Sequence, residues 1–512
     1  MSQNTKSTNK LTLVSLVLMI FTSVFGFANM PRSFFLMGYG AIPWYIISSI
    51  TFFIPFAFMM AEYGSAFKSE RGGIYSWMSK SVGPKYAFIG TFMWYASYII
   101  WMVNVSSGIW IVLSTAIFGT DTTGNWSILG LQPTQTLGLL AAMWIVLVTF
   151  VSTKGLDKIK KITSIGGSAV ALLNVVLLVG GLAILIGNGG HLAQPIASAA
   201  DFFKSPNPGY QTPINVLSFL VFAIFAFGGI EVTAGLVDQT ENPNKTFPKG
   251  IAFAAITIAV GYAIGIFFVG IFTDFAKVLN TDGVNMANVS YLIMNNLGYQ
   301  FGQAFGLSEV ISISIGNWIA RYVGISMLLA LTGAFFTLTY SPLKQIIEGT
   351  PSELWPKVIA KTKDGIPVNA MWVQCILVVS MIFLVSFGGE TAEKFFNKLV
   401  LMTNVAMTLP YMFISGAFPA FKKNKGIEKP FEMFKSYKSA LIAAIIVTFS
   451  VGFANFFTII QPAMNGDISS TIWSIAGPLF FTVVALIMYR RYEMKNRRPR
   501  TKGNKQDFNK AA

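Results

Sequence analysis

The chain has 512 residues, 54% of them hydrophobic and 11% charged, with a net charge of +16. Soluble domains carry about 25% charged residues, so a water-soluble globular protein is excluded. Apolar runs of the ~20 residues that cross a bilayer core recur from end to end, and the expectation is an all-α polytopic membrane protein.

The placement of the positive charge excludes nucleic acid as its partner. Lys204, Lys277, Lys394 and Lys398 lie on one set of alternating loops, and Arg32 and Arg321 at or inside spans. The rest of the 37 Lys and Arg fall on the other set or the termini. That asymmetry is the positive-inside pattern, with the basic loops facing cytoplasm and anionic lipid. The single cysteine, Cys375, sits in an apolar run and permits no intrachain disulfide. With one histidine, His191, in a loop, no metal and no cofactor are expected.

In chain order, residues 1–10 read as a cytoplasmic start, and the run from Leu11 as an uncleaved first helix, because many spans follow. Span 1 falters at Gly26-Phe27-Ala28-Asn29, ahead of Pro31. Asn is a good N-cap and Pro suits a first helical turn, so one half-helix ends there and a second runs to about Gly38. Span 2 covers about 42–63 and ends at Glu62; span 3, about 86–118, carries Trp94, Tyr95, Tyr98, Trp101 and Trp110. Between them lies the loop ERGGIYSWMSKSVGP. Spans 4 (about 134–153) and 5 (about 162–186) flank a lysine cluster, and a Gly/Pro/Asn-rich external loop ends near Thr212.

Span 6 contains the costliest choices in the chain. Its stretch VFAIFAFGGIEVTAGLVDQTE is broken by Gly228 and Gly229, followed by Glu231. Adjacent glycines weaken a helix by roughly 1 kcal/mol each, and a mid-membrane carboxylate costs about 2.5–3.5 kcal/mol. Span 7 (about 250–273) leads to an external segment, 274–316, whose YLIMNNLGYQFGQAF portion reads as an amphipathic helix over the mouth or at the interface. Span 8 (about 317–344) carries Arg321 in its outer turns; spans 9 to 12 follow at about 368–387, 395–421, 439–459 and 472–489. Twelve spans with both termini cytoplasmic satisfy the charge pattern.

One internal match stands out. Val24-Phe25-Gly26-Phe27-Ala28-Asn29 aligns with Ile224-Phe225-Ala226-Phe227-Gly228-Gly229, each at the broken middle of a span, one running outward and one inward. Interrupted helices in corresponding positions of two inverted halves point to a transporter site, because unwound backbone is tolerated at membrane depth only where protein or a watered cavity satisfies it. A small zwitterion fits such a site. Its carboxylate would meet the N-terminus of the outer half of span 1, marked by Asn29, Met30 and Pro31, and its ammonium the carbonyls freed around 24–26 and 224–227. The candidate substrate-binding residues are Gly26, Phe27, Ala28, Asn29, Met30, Phe227, Gly228, Gly229, Ile230 and Glu231. Packing glycines or simple kinks are the plainer alternative.

Glu231 has three competing roles: contact with a cationic substrate group, carriage of a coupling proton, or a structural hydrogen bond across the break. Tyr95, Tyr98 and Arg321 are candidate gate residues. The tyrosines face either the site or lipid, and Arg321 either gates the outside or snorkels to the interface. Glu62, Arg71 and Lys80 form an inward gate or are ordinary interfacial charges.

With ERGGIYSWMSKSVGP, FAFGGIEVTAGLVDQTENPNKTFPKG and NWIARYVGIS on the page, the chain resembles the amino acid–polyamine–organocation superfamily, nearest its bacterial glutamate/GABA antiporter branch, over essentially its whole length. The resemblance implies a LeuT-like core of five-plus-five inverted repeats with spans 1 and 6 discontinuous and two peripheral helices. It divides the chain into a cytoplasmic start (1–10), a first repeat (11–189), an external loop (190–212), a second repeat (213–421), a basic loop with spans 11 and 12 (422–490) and a basic cytoplasmic tail (491–512). It implies a bacterial cytoplasmic-membrane carrier moving an amino acid or related zwitterion by alternating access through exchange or proton-coupled symport; a membrane channel is the alternative, and a membrane-embedded enzyme, for which no catalytic cluster is seen in the sequence, the less favoured one. Span 1 carries Gly-Phe-Ala-Asn-Met-Pro where many relatives have a Gly-Ser/Ala-Gly break, so the substrate is not carried over.

Overall fold

The computed structural model describes residues 11–497 apart from 69, 71–72, 155–159, 232–239, 363–365 and 390. Its helices in chain order are α1 (Leu13–Val24), α2 (Asn29–Met37), α3 (Ala41–Ser48), α4 (Ile54–Ala66), α5 (Gly73–Ser81), α6 (Pro84–Phe118), α7 (Pro133–Ser152), α8 (Lys160–Gly187) and α9 (Pro213–Ala226). They continue with α10 (Pro243–Phe272), α11 (Val289–Ala304), α12 (Glu309–Gly349), α13 (Lys357–Ala360), α14 (Val368–Ser386), α15 (Ala392–Lys423), α16 (Tyr437–Met464) and α17 (Ile468–Arg497). Among the described residues there is no strand, only an isolated bridge between Leu11 and Thr240. Among the described residues, ten helices are long and apolar enough to cross a membrane. Large apolar side chains cover the outside, with Ile186, Ile376 and Phe449 all more than half exposed, which suits a lipid-facing surface and not a watery one.

Local chemistry sets the ends. Ser308 caps α12 through Ile311 N–H, Thr391 caps α15 through Lys394 N–H, and Ser436 caps α16 through Ser439 N–H. Span 8 accordingly starts at Glu309, earlier than the expected 317, since Ser308 supplies the cap that hydropathy alone does not register. Span 7 starts at Pro243, not 250: Asn242 takes a left-handed conformation (φ 44°) and Pro243 opens the helix. The middle of span 2 holds a π-turn, Ser49–Phe53, in which Ile54 N–H donates to Ser49 O five residues back. Pro55 is the cause, because its ring cannot sit against the carbonyl four residues earlier in an ordinary α-turn.

Two contacts join loops that the charge pattern places on the same side. Asn424 Nδ2 reaches Lys80 O at 3.5 Å, joining the basic loops after spans 2 and 10. Asn288 Nδ2 donates to Asp121 Oδ2 at 3.1 Å, joining the acidic loop after span 3 to the segment before α11. Of the two readings of α11, packing over the bundle holds: it lies against α12, α8 and α2, and Ser290 Oγ donates to Ala28 O at 3.4 Å. The α11–α12 crossing is close because it is built on small residues. A Cβ on Gly298 would stand 2.8 Å from Gly316 Cα, and one on Gly302 2.5 Å from Ser312 Oγ. Gly298→Val is expected to lower stability by about 1–3 kcal/mol through overpacking, measured by thermal unfolding in detergent, whereas Gly108→Ala, in α6 with open space around an added methyl, is expected not to lower it.

Candidate functional site

Span 1 is interrupted where expected, α9 ends where span 6 is expected to break, and the two points meet. In span 1, Phe25 N–H still bonds to Phe21 O, but Gly26 N–H leaves the helical pattern and donates to Tyr262 Oη at 2.8 Å. Asn29 and Met30 N–H make tight turn bonds to Gly26 O and Phe27 O, and Arg32 N–H to Ala28 O resumes the α pattern. In span 6, α9 ends at Ala226, with Phe227 and Gly228 N–H bonded to Ile224 O and Phe225 O, and Gly229 adopts φ 109°. That left-handed value favours glycine. The inner half-helix expected from Glu231 falls on 232–239, outside the described residues.

Tyr262 of α10 joins the two breaks. Its hydroxyl accepts from Gly26 N–H and from Asn29 Nδ2 (3.2 Å), and lies 3.1 Å from Val24 O and 2.8 Å from Ala226 O, to either of which it can donate. The ring is fully buried between Phe25, Tyr45 and Phe227, at centroid distances of 4.6, 5.1 and 5.4 Å. Phe227 in turn stacks on Phe53 at 4.5 Å. Asn29 therefore does not cap α2 as expected: Ala28 holds the cap position without a side-chain bond, and the Asn29 amide is spent on Tyr262. The expected donors to a carboxylate shift with it. The amides of Asn29 and Met30 are occupied, whereas those of Phe27 and Ala28 have no acceptor among the described residues.

Glu231 is buried, and its carboxylate folds back on the break. Oε2 accepts from Gly229 N–H at 3.0 Å and Oε1 from Trp94 Nε1 at 3.4 Å. Among the described residues no Lys or Arg pairs with it. Of its three candidate roles, the structural hydrogen bond across the break is present. Trp94 packs edge-on against Tyr98 at 5.1 Å, and Tyr411 of α15 presses on the break so closely that a Cβ on Gly228 would lie 2.4 Å from its hydroxyl. Ile230, Phe27 and Met30 are buried around the same breaks.

The gate candidates separate. Tyr98 stands beside Trp94 and so near Glu231. Tyr95 points elsewhere, donating to Gln374 Oε1 of α14 at 2.8 Å. Arg321 holds the far end of α6, with Nε and Nη2 on the carbonyls of Ile117 and Phe118 at 3.3 and 3.2 Å and its guanidinium over Trp318. At the basic end, Lys80 bonds to Glu70 and not to Glu62, and Arg71 lies outside the described residues. Glu62 takes a partner distant in sequence: Lys422 Nζ lies 2.9 Å from its Oε2 and 2.6 Å from Glu432, while Phe434 N–H donates to Oε1 at 2.7 Å.

Sequence reasoning passed over Tyr262, Trp94 and Tyr411 as site residues. A lone phenol within the apolar run of span 7 was the available signal for Tyr262; Trp94 was legible only as one of several aromatics on span 3.

The family model described as amino acid permease matches residues 11–486, and with these helices the chain is a membrane transporter rather than an enzyme. It belongs to the amino acid permease family. It is 55% identical over 493 residues to the inner membrane transporter YjeM of Salmonella typhimurium, covering 96% of this chain and 98% of that one. More distantly, it is 24% identical to the aspartate/glutamate permease AcaP of Lactococcus lactis subsp. cremoris, over 85% of each chain. Against a glutamate/gamma-aminobutyrate antiporter of Lactococcus lactis subsp. lactis it is 22% identical, over 88% of this chain and 84% of the relative.

The Glu62–Lys422 pair yields a stability prediction. Lys422→Met is expected to cost about 3–5 kcal/mol, because it strands a buried carboxylate, and adding Glu62→Gln is expected to recover most of that loss. Thermal unfolding of the two variants and the double variant measures the coupling.

Proposed function

We propose that the chain carries an amino acid or related small zwitterion across the bacterial inner membrane by alternating access, through exchange or proton-coupled symport. The observation that carries this reading is the meeting of two broken helices at one buried point, with open backbone donors on one side and shared carbonyls on the other. The amides of Phe27 and Ala28 at the positive end of α2 suit a carboxylate; Val24 O and Ala226 O suit an ammonium. Both halves of an amino acid's common head group thus find complements that need no charged side chain.

On this reading the ten candidate residues from Gly26 to Met30 and Phe227 to Glu231 form the substrate cradle, and α1–α2 and the segment from α9 onward are spans 1 and 6 of twelve. The five-plus-five division, with repeats over 11–189 and 213–421, is what the family resemblance implies, and the inverted match of the two breaks supports it, as the lysine asymmetry supports cytoplasmic termini. The relatives' names support the substrate class, since each substrate they name is an amino acid, and the inner-membrane location of the 55%-identical relative supports the compartment. Glu231, enclosed without a cation among the described residues, is the group assigned to coupling: its proton would be taken up and released as the break opens to either side.

Proteoliposomes loaded with or without unlabelled amino acid, and assayed with a panel of labelled amino acids under a pH gradient, test the reading. Saturable uptake with counterflow is expected; ohmic current without counterflow would sink it. Glu231→Gln is expected to remove the pH dependence of uptake or abolish transport while the protein remains folded. A pH profile unchanged from wild type would take Glu231 out of the coupling step.

A further inference from the structure

The Tyr262 hydroxyl has an unequal set of neighbours. Four polar atoms surround it: two donors, Gly26 N–H and Asn29 Nδ2, and two acceptors, Val24 O and Ala226 O, all between 2.8 and 3.2 Å. A phenol has one proton and accepts through its oxygen lone pairs. The two donors use its accepting capacity, and its single proton serves one carbonyl at a time. At any instant one of the two carbonyls faces the hydroxyl without that proton. Both carbonyls belong to the ends of broken helices, α1 and α9, so each has lost the helical N–H partner that would otherwise satisfy it. The network is one hydrogen short, and the shortage is at the junction of the two breaks.

We infer that Tyr262 is a positioning and specificity-determining residue, whose hydroxyl stands in for the substrate's ammonium in the empty protein. This rests on the zwitterion reading above. A protonated primary amine brings the missing hydrogens: one N–H to the carbonyl that the hydroxyl leaves bare and the others to neighbouring acceptors. While the site is empty the hydroxyl keeps Val24 O and Ala226 O together and holds Gly26 in its non-helical conformation through the bond to its N–H. When the amine arrives, the hydroxyl settles on one carbonyl and the amine takes the other. Tyr262 therefore presets the spacing of the two carbonyls and favours a ligand head group rich in N–H over one that is fully alkylated. The neighbouring rings of Phe25, Tyr45 and Phe227 fix the phenol's orientation, so the effect belongs to the hydroxyl and survives only with it.

Tyr262→Phe keeps the ring packing and removes the hydroxyl. In proteoliposomes, with an amino acid that the wild type transports, the variant is expected to raise KM tenfold or more while Vmax stays within threefold. It is also expected to narrow the wild-type preference for the free amine over its N-trimethylated analogue as a competitor. Tyr86→Phe, which removes a hydroxyl bonded to Phe413 O away from the breaks at 2.8 Å, is expected to leave KM within twofold. A Tyr262→Phe variant with KM within twofold of wild type, or with Vmax falling in step with thermal stability at constant KM, overturns the inference in favour of a purely structural tyrosine. A substrate-free measurement separates this from failure of the transport reading. Amide hydrogen exchange at Gly26 is expected to quicken at least tenfold in Tyr262→Phe, and unchanged exchange overturns the inference whether or not any amino acid is carried. If the wild type carries no amino acid at all, the transport reading falls first, and the ammonium role falls with it.

Discussion

A helix that stops in the middle of a membrane leaves donors and acceptors with no water to receive them, and the structure is arranged around meeting that demand. The solution is not a single partner for each group. α1 and α9 end within reach of the same phenol, so the vacancies of two chain segments far apart in sequence are pooled at Tyr262. The pooling explains why the breaks sit together. A lone break would need its own partners; two breaks sharing a hydroxyl need only one residue from a third helix, and α10 supplies it from its apolar middle.

The same principle governs the charged groups buried at the basic end. Glu62 is fully enclosed, yet Lys422 and the amide of Phe434 satisfy both of its oxygens, linking α4 to the end of α15 and to the loop beyond. Glu231 is enclosed too, but its described partners are an amide and an indole, both neutral. The two buried carboxylates of this chain therefore differ in kind: Glu62 is neutralised by a lysine, whereas Glu231 has only neutral partners among the described residues. Arg321 sorts the same way. With its guanidinium on the terminal carbonyls of α6, it completes a helix end.

Much of this was legible in the amino-acid order, and the reasons for the rest are physical. Hydropathy marks spans because lipid demands it locally, and the Gly-Phe-Ala-Asn and Phe-Gly-Gly interruptions stand out for the same reason. Partners across the bundle leave no local trace. Nothing within twenty residues of Glu62 hints at Lys422, and the nearby Lys80 turns instead to Glu70. Asn29 followed its propensity as an N-cap until tertiary structure offered its amide a better acceptor on Tyr262. Helix starts at Glu309 and Pro243 were missed by several residues because a capping serine and a left-handed asparagine extend helices past the apolar run that signals them. The π-turn before Pro55 was encoded by one proline, but a proline also permits a kink or a stop, and the neighbours of span 2 choose between them.

What the sequence withholds most completely is the substrate, and the geometry gives a reason. The groups assigned to an amino acid's head are main-chain amides and carbonyls of 24–28 and 226, positioned by one hydroxyl. Backbone carries no side-chain identity, so a head-group site of this kind can be kept while the residues around it change. On the proposed reading, discrimination among side chains falls to the ring-lined surroundings, where Tyr45 and Phe53 pack against Phe227. Those residues are spread over two spans and are indistinguishable in a linear reading from ordinary membrane aromatics. If that reading holds, the chemically informative part of the site is the part common to all amino acids, and the part that selects one of them is written in shape, which only the assembled helices express.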